Sequence, residues 1–133
     1  MSKAKLAFTL THTFLATPAQ VFDALTDSQA LAEWSGEGNV AKKVGGEFTM
    51  FDGWVSGKVL AYTPGKELAY TWKTTEWPEE WAPSEVWYEL KKIKKGTKVT
   101  LWHCNLPNAK EAKDHKAGWV EHVFEPLDKF LTP

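Results

Sequence analysis

The stretch GGEFTMFDGWVSG, residues 45–57, is where the fold of this chain is written most plainly. Gly45 and Gly46 open an extended run, Glu47 to Phe51, and Asp52-Gly53 then supplies a strong hairpin dipeptide. Trp54 to Tyr62 resumes the extended pattern on the far side. Two strands joined by so short a turn must pair antiparallel. Gly57 falls inside the second strand, where a residue without a side chain marks a bend or bulge.

Toward the C-terminus the same grammar continues. Thr63-Pro64-Gly65-Lys66 is a turn, and Glu67 to Lys73 is a strand with Leu68, Tyr70 and Trp72 on one face. The prolines of Trp77-Pro78-Glu79-Glu80-Trp81-Ala82-Pro83 make that segment a loop. Ser84 to Ile93 and Thr97 to Leu106 form a last hairpin around Lys94-Lys95-Gly96, and Pro107-Asn108 ends the sheet. Beyond it, Ala112, Lys116, Trp119, Val123, Leu127 and Phe130 recur at three- and four-residue steps, the spacing of one helix long enough to cross the sheet. Pro126 lies inside that helix, where it removes a hydrogen bond, so a kink is expected after His122.

Toward the N-terminus, Gly36 and Gly38 end a short helix through Leu31 and Trp34, capped by Asp27 or Ser28. Before it, Thr17-Pro18-Ala19-Gln20 is a capping box opening a helix that carries Val21, Phe22, Ala24 and Leu25. Leu6 to Leu15 alternates, with Leu6, Phe8, Leu10, His12 and Phe14 on one side, as a half-buried strand does. The order is strand, two short helices, about six meandering strands, then one long helix, a sheet of about six to seven strands. That order predicts an α+β domain with helices on one side of a curved antiparallel sheet.

Composition narrows what such a domain does. At 133 residues the chain fits one domain, residues 1–133. Hydrophobic residues at 43% and charged residues at 25% are globular values that exclude disorder. No run approaches the roughly 18 apolar residues of a membrane span, and Met1 to Lys5 hold no apolar leader. One cysteine, Cys104, cannot form an intrachain disulfide, so a cytoplasmic setting is the default. Net charge is −1, and all sixteen basic residues are lysines. Without arginine's paired donors, and without a positive field, neither nucleic acid nor a membrane surface is expected as partner. Eight tryptophans are the unusual count, implying a large core, a lined cavity or a sticky surface.

No constellation for catalysis emerges, and the expectation is a non-enzyme with no metal and no cofactor. Cys104 adjoins His103, but neighbours on a strand point to opposite faces, so the cysteine reads as structural. His115 and His122 are seven apart on the helix rather than three or four, which suits solvated histidines better than metal ligands. His12 interrupts an apolar face and is expected as a core histidine with a partner. Glu76, Glu79, Glu80 and Glu85 surround aromatic rings as a glycosidase pair might be imagined to, yet loop carboxylates beside prolines are usually solvated. Neither a glycine-rich phosphate loop nor a G-x-S-x-G elbow is present.

Several stretches resemble the helix-grip superfamily, and within it the C-terminal domain of the activators of heat-shock chaperone ATPase. They are Thr9 to Pro18, Gly45 to Gly57, Trp72 with Trp77-Pro78-Glu79, and Gly118-Trp119, in order over about Lys5 to Leu131. The resemblance implies a sheet wrapped around the long helix. It also implies a binding role, with an apolar or amphipathic small molecule held between sheet and helix. Phe48, Met50, Tyr70, Trp72, Tyr88, Trp102, Trp119 and Val123 are then the expected cavity wall, with Trp34 near its mouth. Gly118 is expected to let backbone approach closely beside Trp119. The alternative is a protein-contacting module, for which Trp77 and Trp81 in the proline-rich loop are the candidate surface and a heat-shock chaperone the candidate partner. Full-length co-chaperones carry a second contacting domain with no counterpart in these 133 residues, so activator function transfers less readily than fold. A monomer or homodimer is expected.

Overall fold

The computed structural model describes residues 6–132. The leader reading of Met1 to Lys5 therefore lies outside the described residues, as does the Lys5 end of the resemblance. The elements run β1 (Phe8–Phe14), α1 (Pro18–Thr26), α2 (Ser28–Trp34), β2 (Asn39–Val40), β3 (Glu47–Met50), β4 (Val55–Thr63), β5 (Glu67–Thr74), β6 (Ser84–Ile93), β7 (Gly96–Cys104) and α3 (Ala109–Gly118). A π-helical segment, Trp119–Phe124, joins α3 to α4 (Glu125–Leu131). The seven strands form one antiparallel sheet in the order β1-β7-β6-β5-β4-β3-β2. The expected α+β architecture is what the chain adopts. The two-residue β2 is the strand that sequence pattern did not reveal, being too short to show a period.

Local chemistry accounts for the boundaries. Thr17 accepts the Gln20 backbone N–H while the Gln20 side chain accepts the Thr17 N–H, a reciprocal capping box that opens α1. The Asp27 carboxylate accepts the Ala30 N–H and opens α2. Gly57 is required because a Cβ there would collide with the backbone oxygen of Thr71. The bulge itself falls between Val59 and Ala61. It shifts β4 by one residue, so Val55 and Val59 face inward before it and Tyr62 turns inward after it, edge-on to Phe22 of α1.

The helix is irregular just before Pro126, where the sequence placed a disturbance. The Glu125 N–H reaches back five residues to the Val120 carbonyl, so the helix widens into a π turn just before the proline. An extra residue per turn relieves the clash between the proline ring and the preceding carbonyl, and the helix continues into α4. The widening also changes which residues face the sheet. Trp119, Val123, Phe124 and Leu127 are buried, whereas Lys116 and Phe130, placed in the stripe by sequence spacing, are exposed. His115 takes the inward position that spacing had assigned to Lys116.

Candidate functional site

Between the long helix and the sheet lies a filled aromatic core. Phe48 stacks on Tyr70 with centroids 3.6 Å apart, and Tyr70 meets Tyr88 through hydroxyls 2.6 Å apart. Burial pushes both phenols well above their ordinary range. Met50 and Val123 are buried within the same cluster. Trp72 packs on Trp119 at 5.0 Å. Of the expected cavity wall, these residues share the helix-facing side of the sheet. Trp102 does not: it is 39% exposed on the outer face, paired across the ladder with Trp87. The inward residues of β7 are Val99, Leu101 and His103, and the one-residue parity of a strand separates Trp102 from them. Trp34 sits apart as well, its indole donating to the Ala24 carbonyl at the α1–α2 junction.

Two indoles end on two histidines. Trp119 Nε1 donates to His103 Nδ1 at 3.0 Å, and Trp72 Nε1 donates to His115 Nε2 at 3.1 Å. Each donation assigns a tautomer, since an accepting ring nitrogen carries no proton. His103 therefore bears its hydrogen on Nε2, 2.8 Å from Ser84 Oγ, and Ser84 in turn donates to the Trp72 carbonyl. Proximity alone would make Ser84 and His103 resemble a nucleophile and its base. The proton positions make them a structural link instead, because the imidazole offers the serine no free lone pair. His103 is fully buried and is held well below its ordinary pKa by burial, then by nearby His115. His115 is lowered too, by burial, against the opposing influence of Glu111.

His115 thus departs from the solvated role expected for it; its side chain is only 9% exposed. His122 does remain exposed. Trp77 also departs from expectation: it is 7% exposed, donates from its indole to Glu111 Oε1 at 3.1 Å and leans on Trp81 and His115. A proline-bounded loop can fold its tryptophan onto a neighbouring helix, which no local pattern reveals. His12 lacks the hydrogen-bonded partner expected of it. Its ring stacks on Phe124, with Nε2 shielded from solvent and 3.7 Å from the Asp128 carboxylate. Burial and then Glu85 raise the pKa of the partly buried Cys104, opposite to what a reactive thiolate needs. Among the described residues, no three His, Cys, Asp or Glu side chains gather as metal ligands, and no helix is long and apolar enough to cross a membrane.

Open space lies beside this core. A groove of about 570 Å³ runs along α3 and the π segment, walled by Phe51, Trp54, Trp72 and Trp119, with Gly118 and His115 on the helix side. The turn between β3 and β4 builds its far wall. Met50 pairs with Val55, so the loop has four residues, and Phe51, Asp52 and Gly53 all take positive φ. Asp52 anchors it by accepting the Glu37 N–H at 2.8 Å. The turn thereby takes Phe51 and Trp54 out of the strands expected for them, and the two rings meet edge-on at 6.2 Å. Gly118 has helical φ, and a Cβ there would meet only His122 in ordinary contact. No close backbone approach needs this glycine; its lack of a side chain leaves the groove open. Phe51, Trp54 and Gly118 are the wall residues that sequence reasoning missed as such.

A curved antiparallel sheet closed by one long helix, with an aromatic groove beside that helix, is a helix-grip domain. Residues 15–132 match the family described as Activator of Hsp90 ATPase homolog 1-like protein, and the chain belongs to that family. It is 26% identical over 120 residues to the human activator of 90 kDa heat shock protein ATPase homolog 1, covering 90% of this chain but 35% of that protein. To the mouse homolog 2 it is 30% identical over 128 residues, covering 95% of this chain and 38% of that one. The chain thus spans little more than a third of these curated relatives. Among solved structures it resembles an HSP90 activator from Plasmodium falciparum, at 27% identity and a TM-score of 0.84, covering 95% of this chain and 96% of that one.

Proposed function

We propose that this is a non-catalytic binding domain that holds an apolar or amphipathic small molecule in the groove beside its long helix. The observation that carries the reading is the coexistence of a filled core with an adjacent open space walled by four large aromatic rings. Ligand sites are concave, largely apolar and preformed. Trp72, Trp119 and Val123 belong to both regions, so the expected wall is shared at its edge. The test is titration of an apolar fluorescent probe, read by tryptophan quenching, alongside native mass spectrometry for a co-purified molecule. Gly118→Leu should leave the domain folded and abolish saturable binding, because the new side chain enters open space. Absence of saturable binding by the wild type would remove the reading. The lone cysteine supports a reducing, cytoplasmic setting for this role.

A second reading, contact with a heat-shock chaperone, is favoured by the similarity to the Plasmodium falciparum HSP90 activator over nearly the whole of both chains. Here Trp81, half-buried beside Trp77, is the candidate contact. Steady-state ATPase measurement with saturating domain should show little stimulation, since these 133 residues match about a third of the two curated activators. Stimulation matching that of a full-length activator would put the chaperone reading first.

A further inference from the structure

We propose that the groove selects cationic aromatic or amphipathic ligands over neutral and anionic ones of the same shape. The inference rests on the groove being a ligand site and adds the chemistry of its occupant. Its wall presents π faces, which attract cations through the ring quadrupole. Most of the donors that could recognise an anion are already engaged within the protein. The Trp72 indole is held by His115, the Trp119 indole by His103, and Nδ1 of His115 faces the Glu111 carbonyl at 3.0 Å. Lys110, the one ammonium on the rim among the described residues, is paired with Asp114 at 2.8 Å. Among the described lining side chains, the Trp54 indole and the exposed His122 side chain carry the remaining donors.

The acceptors, by contrast, are in excess. Glu76, Glu111, Asp114 and Glu121 all border the groove. Asp114 is neutralised by Lys110 and Glu111 accepts from Trp77, but among the described residues Glu76 is exposed with no ion-pair partner and Glu121 has only the exposed His122 nearby, at 4.0 Å. A ligand lying on the rings therefore meets two carboxylates without a fixed cationic partner. That arrangement favours a protonated or quaternary nitrogen on an apolar body and repels a carboxylate or phosphate.

Three planar probes of nearly equal size separate charge from shape: N-methylacridinium, neutral acridine, and acridine-9-carboxylate, titrated calorimetrically at pH 7.5 and low salt. The cation should bind at least tenfold more tightly than acridine, and the carboxylate most weakly. The double variant Glu76→Gln, Glu121→Gln should bring cation and neutral probe to within about twofold while leaving the melting temperature unchanged. Gly118→Leu should abolish binding of all three. Equal affinity for cation and neutral probe, still blocked by Gly118→Leu, would overturn the charge preference and keep the groove as a binding site. Cation binding that survives Gly118→Leu would place the preference elsewhere and overturn the inference. Failure of every probe to saturate the wild type would overturn both inference and site.

Discussion

The aromatic core under the long helix and the groove beside it are built from the same residue types and end in opposite states. In the core, Tyr70, Tyr88, Phe48 and Trp119 meet from strands and helix at once, and each ring fills the space another leaves. In the groove, Phe51 and Trp54 project from a turn, and opposite them the helix presents Gly118. The turn leaves Phe51 and Trp54 only partly buried, with Trp54 resting on Trp72 and His115 at one edge, and a glycine returns nothing to press against from the other side. Aromatic content alone therefore does not decide whether a region is core or site. What decides it is whether another side chain meets the rings from the opposite side.

The sharpest way to break this contrast is Trp119→Ala. If Trp119 is foremost a core residue, the change should cost about 3–5 kcal/mol, as truncation of a buried large aromatic does. It would also strip His103 of its indole donor. Chemical denaturation measures this; a loss below about 1 kcal/mol would mean that Trp119 belongs to the groove instead.

Acidification sharpens the same line between regions. His103 and His115 both have folded pKa values below the ordinary 6.5, so the unfolded chain binds more protons than the native one as pH falls past that value. Their neutral-state contribution is fully present above pH 6.5 and lost progressively below it. Melting temperature measured from pH 8 to pH 5 should be level at first and then decline. Burial is stronger at His103, so the core histidine should account for more of the decline. A profile level down to pH 5 would show both rings to be as hydrated as free imidazole.

The smallest effect belongs to Gly118→Ala. Its helical φ and the open space around it let alanine stabilise the domain by about 0.5–1 kcal/mol, through lower unfolded-chain entropy and better helix propensity. A loss of stability would mean that the groove closes on Gly118 in solution.

How much of this was legible in the sequence follows from the range of each signal. The capping box at Thr17 and Gln20 and the alternation of Leu68, Tyr70 and Trp72 are local, and the structure follows them, while the turn at Asp52-Gly53 falls where expected but spans four residues, Phe51 to Trp54. Trp102 shows the limit. Its strand was legible, but which face it took depended on register against β6 and β1, set by residues far along the chain. Lys116 and His115 show another limit, because the π turn that exchanges their positions arises where a proline meets a helix already held against a sheet.

From its residues alone this chain determined the order of its elements, the antiparallel sheet and the long crossing helix, since each depends on periodicity and turn chemistry within a few residues. Tertiary structure alone decided that Trp77 is buried, that His103 and His115 receive indole protons, and that open space lies beside the core. Those outcomes depend on where separate elements stop and how closely they pack. The groove exists because Phe51, Trp54 and Gly118, up to 67 positions apart in the sequence, border one volume that no side chain fills.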